Sequence, residues 1–368
     1  MTTTATGDVL RDSLDAGSTL PAGWYVDPAV LGAERERIFE STWQYVGRTD
    51  QLSQPGDYLN ATVGSVPVVV ARHPDGNLRG FVNICRHRCA EVVTAPGRRN
   101  VLQCHYHAWS YDLDGRLVSA PRSDREPDFD PARFSLLPVA VDTWEPFVFV
   151  NVGREPLPLG DYLGELPALM GRDGFDAASV SFRQHGEWKV AANWKVVVEN
   201  FDECYHCPVA HPSFSRLMEV DPDGYRLEEG AWWSRAVTSL RPSALRPGAK
   251  VAYSPAGPLG RGQFGFVWPN FTIVQNPGPP NLMAFWFVPT GPEETEVVMD
   301  YWFAPDLDDD LVRAIIDFNV VVGREDQALV ESVQRGLRSG RVPQGRLLVD
   351  SERLIQHFQR LVHQALAT

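Results

Sequence analysis

The chain has 368 residues, of which 43% are apolar and 22% charged, and a formal net charge of −13. That length accommodates one large domain or two of moderate size, and the composition is that of a globular protein without low-complexity tracts. The acidity, with no basic stripe to offset it, argues against nucleic acid or an anionic membrane surface as a partner.

The first twenty residues lack the basic start and apolar run of an export signal, and no apolar run is long enough to cross a bilayer, so a soluble cytoplasmic protein is expected. Five cysteines, an odd number, fit thiolates used in metal chemistry or left reduced better than a disulfide framework. Residues 27–43 have helical spacing, with Pro28 in the first turn. Between residues 45 and 152 the period changes to short strands punctuated by Gly, Pro and Asp-Gly turns, a small all-β module. A Pro- and Gly-bearing stretch, 153–167, leads to a helical pattern over 193–205. Three alternating runs, 265–275, 282–289 and 295–303, predict an antiparallel meander. Amphipathic helices over 307–337 and 351–367 close the chain. The fold class is α+β, divided into 1–43, 44–153 and 154–368. The run Gly260-Arg-Gly-Gln-Phe-Gly265 satisfies G-x-G-x-x-G, but it follows a Pro-rich loop and enters a strand, so direct NAD(P)H binding is not expected.

Two mixed pairs, Cys85-Arg-His87 and Cys104-His-Tyr-His107, lie in the β module. Two thiolates and two imidazoles suit a [2Fe–2S] cluster whose cysteines hold one iron and whose histidines hold the other, with a raised potential. A structural zinc site is the alternative, although zinc fingers usually pair Cys with Cys and His with His. Further on, His206 and His211 stand five residues apart with Pro208 between them, a proline expected to break the helix so that both rings can turn to one ion. Two histidines call for a carboxylate to complete a facial triad with positions open to O₂. Asp326 is the first candidate, with Glu325 and Asp317 as competitors.

The runs CRHRCAEVV…CHYHAWSYDLDGRL and ENFDECYHCPVAHP, with the later ED-x-x-L-x-E-x-x-Q-x-G-L, resemble the Rieske non-haem iron oxygenases over nearly the whole chain. The resemblance implies a Rieske [2Fe–2S] domain at 44–153. It also implies a helix-grip catalytic domain at 154–368, an antiparallel sheet flanked by helices, against which segment 1–43 packs. It implies Cys85, His87, Cys104 and His107 as cluster ligands, and His206, His211 and Asp326 as ligands of Fe(II). Glu203, where an Asp is common, becomes the acid linking the two centres, and Asn200 a further catalytic residue. On a continuous helix Asp202 would point about 100° away. Cys89 stands where a glycine is usual and reads as a small buried residue, and His105 as a group near or outside the ligand shell. Cys204 and Cys207 read as buried or incidental thiols.

The expected activity is that of a terminal oxygenase. A separate reductase of flavin or ferredoxin type passes NAD(P)H electrons to the cluster, and O₂ attacks a small molecule that is hydroxylated or demethylated. Head-to-tail homotrimers, with the cooperating cluster and iron on different subunits, are the family's common arrangement. Glu203 in its CYHCPVAHP context is similar to the branch acting on quaternary ammonium compounds. Trp232, Trp233, Phe266, Trp268, Phe285, Phe287 and Trp302 are candidates for a cation–π cage, or for core. An aromatic-ring oxygenase and a plain Rieske electron carrier are the competing readings.

Overall fold

The computed structural model describes residues 3–367. It divides into two compact units, Arg35–Leu159 and a second made of the residues up to Glu34 together with those from Gly160 onward. Both cuts therefore lie outside the expected 43/44 and 153/154. The helix expected over 27–43 ends at Glu34; Arg35–Phe39 forms a π turn with Ile38 and Phe39 buried, and Thr42 Oγ1 donates to Ile38 O at 2.7 Å. At the other end Trp43 Nε1 donates to Leu157 O at 2.8 Å, which ties the expected linker to the smaller unit.

The smaller unit is all β. Its strands are β1 (Gln44–Arg48), β2 (Asp57–Val63), β3 (Val66–Arg72), β4 (Leu78–Val82), β5 (Gly97–Arg98), β6 (Val101–Gln103), β7 (Ser110–Asp112), β8 (Leu117–Ser119), β9 (Pro138–Trp144) and β10 (Phe147–Asn151). One sheet runs β1-β10-β9-β4-β3-β2-β5 and the other β6-β7-β8. Alternation along β3 serves two cores: Val68 and Val70 pack with Leu59, Val148 and Val150, while Val69 and Ala71 pack with Phe81, Trp109, Tyr111, Cys85 and Cys104. The second core therefore carries the two cysteines of the mixed pairs.

In the larger unit the helices are α1 (Thr3–Asp15), α2 (Pro28–Glu34), α3 (Leu159–Leu163), α4 (Leu166–Arg172), α5 (Trp194–Phe201), α6 (Cys207–Ala210), α7 (Pro212–Leu217), α8 (Asp309–Arg338) and α9 (Arg353–Ala367). Its strands are β11 (Ser181–Val190), β12 (Tyr225–Glu229), β13 (Trp233–Ser239), β14 (Arg261–Val267), β15 (Phe271–Gln275), β16 (Asn281–Gly291) and β17 (Glu294–Phe303). They form one antiparallel sheet in the order β11-β17-β16-β15-β14-β13-β12.

The single strand expected over 265–275 is two, because Trp268-Pro269-Asn270 turns the chain and Val267 pairs with Phe271. Strands β11 and β12 went unpredicted because both are edge strands rich in charged and polar residues, without the alternation of a half-buried run. The same lack of alternation hid β13, a central strand buried along most of its length. Helix α8 opens with Asp308 accepting from the backbone of Asp310 and Leu311 and ends on Arg335 and Arg338, both favourable to the helix dipole. Among the described residues no helix is long and apolar enough to cross a membrane.

One polar network is fully enclosed. Lys195 Nζ lies 2.5 Å from Glu34 Oε1, both side chains without exposure, and Trp194 Nε1 donates to Glu34 Oε2 at 2.8 Å. Beside it Tyr25 Oη and Gln359 Nε2 donate to Glu199 Oε1 at 2.6 and 2.9 Å. Residues of α2, α5 and α9 meet in these bonds, so the start of α5 is rigidly held.

Candidate metal centres

In the β unit the two mixed pairs form matched turns. Cys89 N donates to Cys85 O and Ala108 N to Cys104 O, each at 3.0 Å. Both turns close through a left-handed residue, Cys89 at φ +57° and Ala108 at φ +58°. Cys89, expected as a small buried residue, is therefore an exposed one at a position where a glycine would be at ease. His105 is exposed too.

The turns sort their side chains. Cys85 and Cys104 are each 2% exposed, whereas His87 and His107 lie at the surface with ring centroids 4.6 Å apart, His87 stacked on Trp109. Two buried sulfurs below two surface imidazoles are the donor types that suit an asymmetric [2Fe–2S] cluster, the set the resemblance implies. Burial, followed by the neighbouring Cys85, raises the Cys104 thiol. Desolvation and the nearby His87 and Arg88 hold His107 below its usual value, toward the neutral form a metal needs. Tyr111 Oη is 3.4 Å from Cys85 Sγ and accepts from Arg86 N at 3.0 Å. Its part was not legible beforehand, since nothing in YDLDG marks the Tyr as a sulfur partner.

In the larger unit the helix expected through residue 205 stops at Phe201. The chain crosses 202–206 without helix, and His206 and His211 flank the single turn of α6, with Pro208 in its first turn. Pro208 thus starts a turn and does not break one, because a first-turn residue needs no backbone N–H partner. The same early stop brings the Cα atoms of Cys204 and Cys207 to 4.9 Å, and the two form a disulfide, which corrects the expectation of free thiols.

Three atoms converge. His206 Nε2 lies 3.0 Å from His211 Nε2 and 3.4 Å from Asp326 Oδ1, and His211 Nε2 lies 2.9 Å from Asp326 Oδ1. Adjacent ligands of an octahedral ion with bonds of about 2.1 Å stand about 3.0 Å apart. Glu203 Oε1 accepts from His206 Nδ1, and Glu325 Oε2 accepts from His211 Nδ1 at 2.8 Å. With both Nδ1 atoms facing carboxylates, the two Nε2 atoms and a carboxylate oxygen face one another at the spacing of adjacent metal ligands, a donor set that suits a divalent cation. Cys207 Sγ is 4.0 Å from His206 Nε2, but its bond to Cys204 removes it as a thiolate ligand.

Charge tells the same story. Burial opposes protonation of His206, yet hydrogen bonds to Asp326 and Glu203 outweigh it and push the ring up to about 9. His211 is raised likewise, and Asp326 falls below the usual carboxylate range despite its burial. Of the competing carboxylates, Glu325 grips the outer nitrogen of His211, and exposed Asp317 stands away from the cluster. Asp202 turns to Ser234, whose Oγ donates to it at 3.0 Å. The sequence reading missed the grip of Glu325, since adjacent carboxylates on a helix read alike until the histidines are placed.

A cavity of about 550 Å³ opens on these residues. Asn200, Glu203, His206, His211 and Asp326 line it, with Trp188, Phe201, Phe264, Phe285, Phe287 and Phe318. Of the seven aromatics proposed as a cage, Phe285 and Phe287 reach the wall. Trp233, Phe266, Trp268 and Trp302 are buried in core, and Trp232 stacks on Tyr162. Asp202, Asp221, Asp223 and Asp350 also reach the wall, against one described arginine or lysine, Arg353.

Residues 42–142 match the Rieske [2Fe-2S] domain and residues 176–368 the ring hydroxylating alpha subunit (catalytic domain). The chain is 32% identical to the chloroplastic choline monooxygenase of Spinacia oleracea, over 95% of this chain and 78% of that protein. It is also 32% identical to the carnitine monooxygenase oxygenase subunit of Acinetobacter pittii, over 95% of each. A solved quaternary ammonium Rieske monooxygenase, reported with carnitine oxidation by gut microbiota and inter-subunit electron transfer, superposes with a TM-score of 0.84 at 30% identity. The match covers 96% of this chain and 97% of that one.

Proposed function

Since the chain belongs to the Rieske-type ring-hydroxylating oxygenase alpha subunits, we propose that it oxygenates a quaternary ammonium compound, with cluster and iron held by the residues described above. It is a terminal oxygenase of the [2Fe–2S] and Fe(II) kind, supplied with electrons by a partner reductase. Cys85, His87, Cys104 and His107 hold the cluster, and His206, His211 and Asp326 the iron. When bound, these groups supply electron storage and O₂ activation.

The protein's own part is positional. Glu203 and Glu325 fix the tautomers of the two histidines, so that each presents Nε2 inward. Glu203 is further held by the backbone N–H groups of Tyr205 and His206, and we assign it the path between cluster and iron. Asn200, on the last turn of α5, borders the reacting space. The inter-subunit transfer reported for the related structure supports a homotrimer in which Glu203 meets the cluster of the neighbouring subunit. A cytoplasmic reductase then delivers NAD(P)H electrons to each cluster.

The observation that carries the substrate reading is the wall of the cavity. It combines aromatic faces with a strong excess of carboxylates, a surface suited to an organic cation and poorly suited to an anion. Reconstitution with a reductase tests it. Choline, glycine betaine or carnitine should couple NADH and O₂ consumption to a hydroxylated or demethylated product. Product from neutral aromatic hydrocarbons alone would overturn the assignment in favour of ring hydroxylation.

A further inference from the structure

We propose that Asp202 is the counter-ion of the substrate's cationic group, and so sets the preference of the cavity for charge over shape. The inference rests on the reading that this cavity takes a quaternary ammonium compound. Asp202 is the first residue after α5, with its backbone N–H bonded to Val198 O at 3.0 Å, so the helix end fixes where its side chain starts. The residue is 5% exposed and lines the cavity. One carboxylate oxygen accepts from Ser234 Oγ; the other, Oδ2, is buried with no hydrogen-bond partner.

A carboxylate in that position needs a positive neighbour, because burying the charge unpaired costs several kcal/mol. Among the described residues none is placed beside it. The nearest charge on α5 is another acid, Glu199, and Lys195 of the same helix is tied to Glu34. Burial and Glu199 together raise the Asp202 carboxyl well above its usual range. The one other cavity-lining side chain with a buried unpartnered atom among the described residues is Asn276, and that atom, Oδ1, is again an acceptor. Both buried unpartnered atoms among the described wall residues are thus oxygens: without a cation nearby the Asp202 carboxyl favours its protonated form, and a bound cation would draw it to the charged one. A quaternary ammonium group has no N–H and cannot be recognised by hydrogen bonding to nitrogen. It answers to ring faces and to a carboxylate's charge, and Phe201, Phe285 and Phe287 on the same wall supply the faces. The hydrogen bonds described for Asp202 include none to the three proposed iron ligands, His206, His211 and Asp326, which leaves its charge free for the substrate.

The test measures equilibrium dissociation constants on the iron-loaded protein. Choline, glycine betaine and carnitine are ranked, and choline is paired with its neutral isostere, in which carbon replaces N⁺. The wild type should prefer the cation by about tenfold or more, a difference of about 1.4 kcal/mol. Asp202→Asn keeps the Ser234 bond and removes the charge. It should raise the dissociation constant of the cation by roughly tenfold and leave that of the isostere within about twofold. Asp202→Leu, which needs no donor at all, should bind the isostere more tightly than the wild type does. If both variants weaken cation and isostere equally while holding their iron, Asp202 only shapes the wall, and the inference fails with the substrate reading intact. If the wild type binds the isostere as well as every cation, the quaternary ammonium reading itself fails.

Discussion

Glu203 and Glu325 are twin carboxylates with different proposed duties, and replacing each by glutamine separates them. Each accepts from the Nδ1 proton of one histidine, and each amide keeps an oxygen that can still accept while losing the charge. Partners of this kind are worth 10- to 100-fold in metal affinity, about 1.4–2.7 kcal/mol. Glu325→Gln should fall within that range. Glu203→Gln should lie nearer its upper end, because Glu203 is also clasped by two backbone N–H groups and is the less exposed of the two. The decisive comparison follows at saturating Fe(II), where both variants are fully loaded. With the cluster reduced beforehand and O₂ and substrate added, stopped-flow absorbance should show Glu325→Gln re-oxidising its cluster within a few-fold of the wild-type rate. Glu203→Gln should be slower by orders of magnitude and yield little product. Equal slowing of both would refute the assignment of the electron path to Glu203 and leave it a positioning group like Glu325.

Two further substitutions follow from the geometry. His87→Cys should convert a mixed cluster toward the all-thiolate type and lower its potential by roughly a few hundred millivolts in protein-film voltammetry; an unchanged potential in a cluster-bearing variant would remove His87 from the ligand set. Glu199 is pushed up to about 7 by burial, against the lowering effect of hydrogen bonds from Tyr25 and Gln359. Its folded form therefore holds a proton more tightly than the unfolded chain, so its contribution to stability is full below about 4.5 and is lost as pH rises through about 7. Glu199→Gln should flatten the stability profile across that window by at most about 3 kcal/mol in denaturant titrations. A variant whose profile parallels the wild type would show that Glu199 titrates normally.

The metal chemistry was legible because it resides in residue type and short spacing. Cys85/His87 and Cys104/His107 stood out by residue type in their strand context, whereas His206, His211 and Asp326 were singled out as a set by the family resemblance. What the sequence misplaced was where the helix before His206 ends. The run 193–205 has helical periodicity throughout, but Phe201 ends the helix, and the freed segment pairs Cys204 with Cys207 and turns Asp202 toward Ser234. Tertiary burial decided this, and local propensity cannot show it. The seven-stranded sheet was read as a three-strand meander because β11 and β12 are polar at the edge, and β13 has no clear alternation. Cys89 was taken as buried because a small residue among cluster ligands usually is; the left-handed turn that exposes it is a backbone property with no sequence mark beyond the glycine it replaces.

Iron and acid-labile sulfide per chain test the central claim, two iron centres on separate residue sets, most directly. The wild type should hold about three irons and about two sulfides. Asp326→Ala should lose up to one iron, more fully at low added Fe(II), because two ligands of three remain. Its sulfide content and Rieske electron paramagnetic resonance signal should stay at wild-type levels. Iron that stays at about three in Asp326→Ala, or sulfide that falls together with the iron, would contradict the account.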